Sequence, residues 1–484
     1  TRKESSAASD VYKRQEKDLL GSMQIPMDHL YGIQTQRAMD NFQFSPYKLS
    51  TYPRFIEAMA ITKKAAAMAN HELNELPEDV FKAMCQACDE IRDGELRDQF
   101  CIDMFQGGAG TSANMNANEV IANRALEILG YEHGDYKHCD PHDHVNLSQS
   151  TNDAYPTFAH IGLYLTFLDL TPHLDELIKS LRKKAKEFRG MLKIGRTQLQ
   201  DAVPMTHEQT FNGFASILEE EIDNLEHAAK QFLVLNMGST AIGTGICSQP
   251  GYREAVIKAF RKITEWDIKP TKDYVGATSD TSHMVGYSAA LKRLAVKLSK
   301  ISNDLRLLSS GPFAGLGDIT LPARQPGSSI MPGKVNPVIP EVVTQIAMKV
   351  IGNDVCVTMA GEAAQLELNA MEPVMVQCCF ESSDLLMRAM DTLREFCIDG
   401  IKANAEHTRK QVYDSLSIVT ALNPYIGYDN STHLTQEAQA TGRSIVDLVL
   451  EKGILSKEQL DEIMDPENLT QPVRLDIKPL KDVE

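Results

Sequence analysis

The segment ALKRLAVKLSKISNDLRLLSS, residues 290–310, decides the fold class. Its apolar side chains recur at alternating steps of three and four residues, which is the spacing of one buried stripe along an α-helix. The stripe consists of Leu291, Leu294, Leu298, Ile301, Leu305 and Leu308. We therefore expect a long helix that packs this stripe inside a helix bundle.

Two further segments carry the same helical pattern. The first stripe consists of Phe211, Phe214, Leu218, Ile222, Leu225, Ala229 and Phe232. The second consists of Leu174, Leu177, Leu181 and Phe188. Alternating strand-like runs are scarce throughout the chain. The sequence therefore predicts an all-α or mostly α protein, with a long central helix bundle and smaller N- and C-terminal domains.

Changes in pattern along the chain predict four regions. The first 15 residues are small and polar without periodicity, so we expect 1–15 to be a disordered or non-native extension. Residues 16–149 are expected to form the N-terminal domain and 150–403 the central helix-bundle domain. From about residue 404 the periodic helices shorten, which predicts a small C-terminal domain over 404–484.

Composition excludes several classes of protein. The chain has 484 residues with 49 Lys and Arg against 66 Asp and Glu, and its net charge of -17 disfavours binding to nucleic acid or to an anionic membrane. No apolar span of about 18 residues stands out, and the polar start does not resemble a signal peptide. Nine cysteines, an odd number, suit reduced thiols. We expect a cytoplasmic protein without nucleic-acid or membrane partners.

The segment GSSIMPGKVNPVIPE, residues 327–341, is the most informative for function. It places two hydroxyls, a cation, an amide and a carboxylate between glycines and prolines. It differs from a phosphate-binding P-loop because five residues separate Gly327 from Gly333, and because Val335 follows Lys334 where Ser or Thr would bind magnesium. The pattern predicts a functional loop that is long enough to act as a lid.

Three more segments concentrate small polar residues. QGGAGTSANMNANE, residues 106–119, partly matches a dinucleotide-binding fingerprint but lacks the βαβ context, so its glycines better suit close approach to a small polar ligand. HVNLSQSTNDAYPT, residues 144–157, precedes a helical segment and suits either helix capping or anion binding. In GRTQLQDAVPMTHEQTF, residues 195–211, the spacing of Thr206 and Gln209 predicts a capping box.

Together these clusters suit the recognition of a small, multiply charged acid. They contain neither a metal-ligand set nor a Ser/His/Asp order, so we expect no metal and no cofactor. At this point the sequence resembles the aspartase/fumarase superfamily, through GSSIMPGKVNP, GGAGTSANMNANE, STNDAYPT and GRTQLQDAVP. The variants GGAGT, DAYP, NPVIPE and ELNAMEPV resemble the aspartase branch of that superfamily.

The resemblance implies an enzyme, a carbon–nitrogen lyase that converts L-aspartate to fumarate and ammonia. By resemblance, Ser328 is the base that removes a proton from the substrate β-carbon. A serine oxygen serves as a base only if its ionised form is stabilised, and the backbone N–H groups of the loop and Lys334 are the available donors. Glu341 is expected to be a supporting carboxylate.

The resemblance also assigns three groups of binding residues. Donors to the β-carboxylate, where negative charge develops, are Ser150, Thr151 and Ser329. The α-carboxylate is expected to bind Lys334, Asn336 and Thr197. The residues expected near the amino group, which needs oxygen acceptors, are Thr111 and Asn152.

Two positions depart from the family pattern. Gln198 stands where many members have histidine, and glutamine has no titrating proton to give to departing ammonia, which leaves the general acid open. At residues 206–210 the chain reads THEQT where relatives commonly read TLGQE. His207 or Glu208 either replaces part of the missing glutamate function or is merely exposed.

The resemblance further implies a homotetramer whose active sites are shared between subunits. If 153–190 form one helix, that helix separates Thr151 from Thr197 by some 50 Å or more, although Thr171-Pro172 could instead start a second helix that folds back. Two alternatives to the aspartase reading stay open. One is a fumarate hydratase, which uses the same chemistry with water, and the other is an inactive helical scaffold of the same fold.

Overall fold

The computed structural model describes residues 12–480. Its strands are β1 Lys13–Asp18, β2 Gly21–Pro26, β3 Leu192–Thr197, β4 Gln200–Thr206, β5 Val234–Leu235, β6 Lys269–Pro270, β7 Ile319–Thr320 and β8 Lys402–Ala403. These strands form four separate two-stranded pairs, β1–β2, β3–β4, β5–β6 and β7–β8, and only β5–β6 is parallel.

Helices make up most of the described chain, which confirms the mostly α prediction. They are α1 Ile33–Asn41, α2 Pro53–Glu72, α3 Glu78–Arg92, α4 Thr111–Leu129, α5 Thr151–Glu187, α6 His207–Ala229, α7 Tyr252–Thr264, α8 Gly276–Ser279, α9 Ser282–Leu308, α10 Val338–Glu362, α11 Glu372–Phe396, α12 Ala405–Asp414, α13 Val419–Ile426, α14 Tyr428–Thr441, α15 Ile445–Glu451, α16 Lys457–Ile463 and α17 Pro466–Leu469. Short 3-10 or π turns occupy Leu49–Thr51, Arg97–Gln99, Pro141–Val145, Lys230–Leu233, Ile398–Gly400 and Leu416–Ile418.

The stripe that decides the fold class lies on α9. Leu291, Leu294, Ile301 and Leu305 are fully buried, and Leu298 is nearly so. Helix α5 runs unbroken for 37 residues, so Pro172 lies inside it and does not start a second helix. Proline removes one backbone hydrogen bond, and a helix anchored by buried side chains on both sides of that point tolerates the loss.

The chain divides into two compact units whose boundaries fall inside the long helices. The first unit comprises the described residues up to Leu170, together with Asp223–Lys292 and Lys349–Leu385. One of its cores joins α2 and α7 through buried residues such as Ala65, Val256 and Phe260.

The second unit comprises Thr171–Ile222, Arg293–Met348 and the described residues after Leu386. Its core packs the short helices α12–α16 around strand β3, with Leu192 and Ile194 buried against Val412, Leu434 and Leu448. This core holds the β3–β4 hairpin in place. The predicted domain boundaries at 149/150 and 403/404 stay predictions.

Strand β1 begins inside the predicted N-terminal extension. Arg14 is buried and forms an ion pair with Glu16 at 2.7 Å, and its guanidinium also donates to the carbonyl oxygens of Pro26, His29 and Tyr31. Residues 13–15 are therefore part of the fold, because the arginine satisfies three carbonyls at once. Residues 1–11 of the predicted extension lie outside the described residues.

Helix α10 corrects the expectation that no apolar span stands out. It is long and apolar enough to cross a membrane by length and composition, with a mean hydropathy of 1.2. It nevertheless carries charged residues that pair with neighbouring helices. Lys349 contacts Glu381 at 2.6 Å, and Asp354 contacts Lys292 at 2.5 Å. These ion pairs show that α10 packs against α9 and α11 in the first unit.

Candidate active site

A turn with three successive left-handed residues precedes helix α4. Gly108, Ala109 and Gly110 have φ of +80°, +54° and +90°. A Cβ on Gly110 would lie 2.2 Å from Cδ2 of Tyr155, so only glycine lets this turn approach α5 so closely. The approach brings the exposed Thr111, first residue of α4, to the first turn of α5.

Hydrogen bonds from several elements fix that first turn of α5. The buried carboxylate of Asp153 accepts from the backbone N–H of Ser150 at 2.9 Å, Gly238 at 3.0 Å and Thr240 at 2.9 Å. Burial raises the pKa of Asp153 to about 6, and these N–H donors act in the opposite direction. Asn152 donates from Nδ2 to the carbonyl of Ala241 at 2.8 Å.

Ser150 Oγ accepts from the N–H of Asn152 at 3.2 Å. This hydroxyl therefore caps the helix, as the capping interpretation of this segment expects. Ser150, Thr151 and Asn152 remain half-buried. Polar groups at a partly open helix N-terminus are well placed for an anion.

A buried lysine lies behind this turn. Lys63 Nζ donates to the carboxamide oxygens of Asn114 at 2.7 Å, Gln149 at 2.8 Å and Asn146 at 3.2 Å. Burial lowers the pKa of Lys63 to about 7. Asn114 in turn donates to Thr151 Oγ1 at 3.3 Å, so the lysine is linked to a predicted substrate-binding hydroxyl.

The sequence analysis does not find Lys63. The available signal is a lysine on an otherwise apolar helical row of α2, where it follows Ile56 and Met59 and precedes Ala66 and Ala67. A charged residue at such a position indicates a buried partner for it.

The β3–β4 hairpin presents Thr197 and Gln198 in the second unit. Thr197 pairs with Gln200, so Gln198 and Leu199 form the two-residue turn, with φ of +52° and +65°. Such a turn ordinarily takes Asn or Gly, and two side-chain-bearing residues there store backbone strain. All four residues of the turn are exposed, which leaves Gln198 free to meet a ligand.

Buried ion pairs fix the base of the hairpin. The carboxylate of Asp318 is fully buried and binds Arg196 at 2.7 Å, with Lys193 at 3.6 Å. The predicted capping box is confirmed, because Thr206 Oγ1 accepts from Gln209 N at 3.1 Å and Gln209 Oε1 accepts from Thr206 N at 3.0 Å. The hairpin and α6 therefore form one supported element.

His207 is neither exposed nor available as an acid near neutral pH. It is fully buried, its ring lies edge-on to Phe188, and burial lowers its pKa to about 4. Its Nε2 is 3.4 Å from Thr408 Oγ1. His207 is therefore a neutral core residue, whereas Glu208 is half-buried on the surface of α6.

The loop before α10 carries Ser328. Its Oγ accepts from the backbone N–H groups of Met331 at 3.0 Å and Ile330 at 3.2 Å. Two donors converging on one hydroxyl oxygen favour negative charge there, in the manner of an oxyanion hole. Ile330 and Met331 are themselves exposed, at 84% and 48%, so this part of the loop is open to solvent.

The two ends of the loop are tied together. Gly327 N donates to the carbonyl of Lys334 at 2.7 Å, and Asn336 Nδ2 donates to the carbonyl of Gly327 at 2.8 Å. A Cβ on Gly327 would lie 2.6 Å from the Lys334 oxygen, so this closure requires glycine. Glu341 lies in the first turn of α10, just after the loop.

The predicted site residues thus fall into two groups. The first unit contains Thr111, Ser150, Thr151 and Asn152. The second unit contains Thr197, Gln198, Ser328, Ser329, Lys334, Asn336 and Glu341. Among residues 12–480, no group of three or more His, Cys, Asp or Glu side chains is arranged to hold a metal ion.

Comparison with known families gives the class of this protein. Residues 21–352 match the family model described as Lyase, and residues 418–471 match the model described as Fumarase C C-terminus. The chain belongs to this lyase family.

Within the family, its relatives include aspartate ammonia-lyases. That of Pseudomonas aeruginosa is 53% identical over 95% of this chain and 97% of its own length. That of Escherichia coli is 50% identical over 95% and 96%.

Two solved structures share the fold. The fumarate lyase:delta crystallin from Brucella melitensis, in a cobalt-bound crystal structure, is 50% identical with a TM-score of 0.93 and covers 95% of this chain and 100% of that one. The class II fumarase from Schistosoma mansoni is 32% identical with a TM-score of 0.88, covering 96% and 100%.

Proposed function

We propose that this chain is an aspartate ammonia-lyase that interconverts L-aspartate with fumarate and ammonia. Relatives of that name match it at 50–53% identity over 95% of the chain or more. The structural observation that carries the proposal is the pair of backbone N–H groups directed at Ser328 Oγ. The reaction takes place in the cytoplasm, where the free cysteines stay reduced.

In the proposed mechanism Ser328 Oγ, ionised and held by the N–H groups of Ile330 and Met331, removes the proton from the β-carbon. The electron pair moves into the adjacent carboxylate, which becomes a doubly charged aci-carboxylate. Preorganised donors that are strongest for this charge lower the barrier most. Collapse of the intermediate forms the double bond of fumarate and releases ammonia.

Three sets of side chains hold the substrate in this proposal. Ser150, Thr151 and Ser329 donate to the β-carboxylate. Lys334, Asn336 and Thr197 bind the α-carboxylate, and Thr111 and Asn152 accept from the ammonium group. The strained Gln198 at the hairpin tip adds an amide, and Glu341 supports the loop from the first turn of α10.

The activity is tested with Ser328→Ala against wild type. The formation of fumarate is followed by its ultraviolet absorbance with L-aspartate and, separately, with L-malate. We expect deamination of aspartate, no dehydration of malate, and a turnover lowered about 10² to 10⁴-fold in Ser328→Ala, because a general base is lost. Ser309→Ala, a change to another loop serine, is the matched control and keeps full turnover.

Faster fumarate formation from malate would assign the chain to the fumarate hydratases. The absence of turnover with either substrate would favour the scaffold alternative. A Ser328→Ala turnover within about threefold of wild type would remove Ser328 from the mechanism while leaving the activity in place.

We further propose a homotetramer with active sites shared between subunits. Thr151 begins α5, a helix of 37 residues and roughly 55 Å, whereas Thr197 lies in the hairpin that follows its other end. A four-carbon substrate does not span such a helix. Helix α10 also exposes an apolar stripe, with Met348 at 65%, Val355 at 53% and Met359 at 66% exposure, which suits packing against other copies.

The shared site is tested by complementation. Asn152→Ala and Ser328→Ala proteins, each inactive, are unfolded and refolded together, with co-refolded wild type as the control. Hybrid tetramers contain sites that take both wild-type residues from different chains, so a fraction of the activity returns. Verified mixed tetramers that stay as inactive as either parent would show that each site is built by one chain.

A further inference from the structure

A cavity of about 280 Å³ lies within the first unit, beside the first turns of α5. Its lining contains none of the residues that the proposed mechanism uses. Its polar lining includes His160 of α5, Asn236, Asp280, His283 of α9 and Glu372 of α11. Pro156, Val234 and Ala277 supply apolar lining. The cavity is several times larger than one water molecule, so it has room for a small organic ligand.

The two histidines hydrogen-bond to each other, and both rings are neutral. His160 Nδ1 is 3.0 Å from the carbonyl of Val234, so this nitrogen carries the proton and donates it. Nε2 of His160 is therefore the acceptor, and Nε2 of His283 donates to it at 2.6 Å. Burial lowers the pKa of both rings, that of His283 to about 4. Neither ring carries a charge that would balance an anion.

Glu372 lines this cavity with a carboxylate that lacks a hydrogen-bond donor among the described residues. It is 3% exposed, and among the described residues no donor bonds to its carboxylate. Burial raises its pKa to about 8. Neither Lys nor Arg occurs among the described residues that line the cavity. A buried carboxylate without a donor costs free energy that a cationic ligand would recover.

We propose that this cavity binds a small primary ammonium compound. The ammonium group donates to the Glu372 carboxylate and to the carboxamide oxygen of Asn236, which receives no donor from the described residues. A short alkyl chain lies against Pro156 and Val234. The second carboxylate, Asp280, is exposed at the rim and draws cations toward the opening.

The alternative of a transition-metal ion fits this lining less well. The two Nε2 atoms that would bind it are committed to one hydrogen bond, and among residues 12–480 no third ligand completes a metal-binding group with them. A metal would also leave most of the cavity volume unfilled. The donor geometry therefore favours an N–H cation.

The site adjoins the predicted substrate-binding residues. Asn236 Nδ2 donates to the backbone carbonyl of Asn152 at 3.3 Å, and Pro156 follows Asn152 by one helical turn. Occupancy of the cavity is thereby connected to the first turn of α5. The binding test does not depend on lyase activity, so it stands whether or not the proposed reaction is correct.

Binding is expected to be coupled to proton release from Glu372. The groups that face this carboxylate from neighbouring elements are Tyr155, whose pKa burial raises, and the rings of His160 and His283, all of which stay neutral between pH 6 and 8. Only Glu372 therefore changes charge there, and affinity rises about tenfold from pH 6 to pH 7 and levels off above pH 8.

The test is calorimetric titration of the full-length protein with n-propylammonium chloride at pH 6, 7 and 8. Tetramethylammonium, a cation without N–H donors, and zinc chloride are the comparison ligands. We expect propylammonium to bind with the stated pH dependence and tetramethylammonium to bind at least tenfold more weakly, since it donates no hydrogen bond. Glu372→Gln should weaken propylammonium binding at least tenfold at pH 8 and abolish the pH dependence.

Glu367→Gln is the matched control, because Glu367 is an exposed glutamate five positions earlier in the same stretch, and it should bind as wild type does. Far-UV circular dichroism of both variants verifies folding. Any of three results overturns the proposal: no propylammonium binding to wild type, equal binding to Glu372→Gln and wild type, or zinc binding that displaces propylammonium.

Discussion

Replacing Gly110 by alanine tests whether the close approach of the α4 turn to α5 is required. At this position φ is +90°, and the new Cβ would lie 2.2 to 2.5 Å from three atoms of the Tyr155 ring. Tyr155 is fully buried and packs edge-on against Phe55, with ring centroids 5.8 Å apart, so it has little room to withdraw. The substitution therefore imposes both backbone strain and overpacking.

The two costs are separable within this chain. The left-handed conformation costs alanine about 1–2 kcal/mol, and overpacking adds about 1–3 kcal/mol. Gly94 is the matched control, because its φ is +93° and nothing lies within 4 Å of its would-be Cβ. Gly94→Ala should lose only the first amount, so the two variants should differ by about 1–3 kcal/mol.

The assay is urea denaturation followed by far-UV circular dichroism, with fumarate formation measured in parallel. Gly110→Ala should also lose activity, since a displaced Tyr155 moves the turn that carries Thr151 and Asn152. Adding Tyr155→Leu should recover about 1 kcal/mol or more through relief of the clash. Free energies of unfolding for Gly110→Ala and Gly94→Ala within about 0.5 kcal/mol of each other would refute this reasoning.

Three further predictions concern single residues. Leu199→Gly should stabilise the protein by about 1 kcal/mol in urea denaturation. The change relieves the backbone strain of a left-handed residue, and the lost side chain is 69% exposed. A loss of stability would contradict the strain argument. Lys63→Met should destabilise by about 2–4 kcal/mol, since it leaves the carboxamide oxygens of Asn114 and Gln149 without their donor. Lys64→Met, which breaks a pair with a half-exposed aspartate, should lose only about 0–1 kcal/mol. In amine-free buffer, Glu372→Gln should gain stability over wild type as the pH rises from about 4.5 to about 8. The gain should be up to about 1.4 kcal/mol per pH unit, because the folded wild type holds a proton that the unfolded chain has released. Thermal midpoints that change in parallel for both proteins over that range would disprove this prediction.

Local sequence determines the helices and their caps. The stripe of α9 is readable because its spacing repeats every turn, and a helix that buries such a stripe has only one face to offer the core. The capping box of Thr206 and Gln209 is equally local, since both partners stand three residues apart. The loop 327–341 is recognisable as functional from its residue types, and the family follows from four motifs in order.

Tertiary structure decides what depends on residues distant in sequence. Gln198 and Leu199 carry no turn signal, and their left-handed conformation is set by the register of β3 with β4 and by the buried Asp318 that anchors Arg196. His207, which stands in a polar stretch, becomes a neutral core residue because Phe188 and the second-unit core surround it.

The partners of a buried charged group likewise do not follow from local pattern. Lys63 meets its partners only after α2, α4 and the turn before α5 assemble. His160, His283 and Glu372 come from three helices far apart along the chain, and no local pattern shows that they meet. The electrostatic environment of a side chain is the sum of contributions from its neighbours in space. The sequence therefore shows which chemical groups are present, and only the packed structure decides which of them face each other without water.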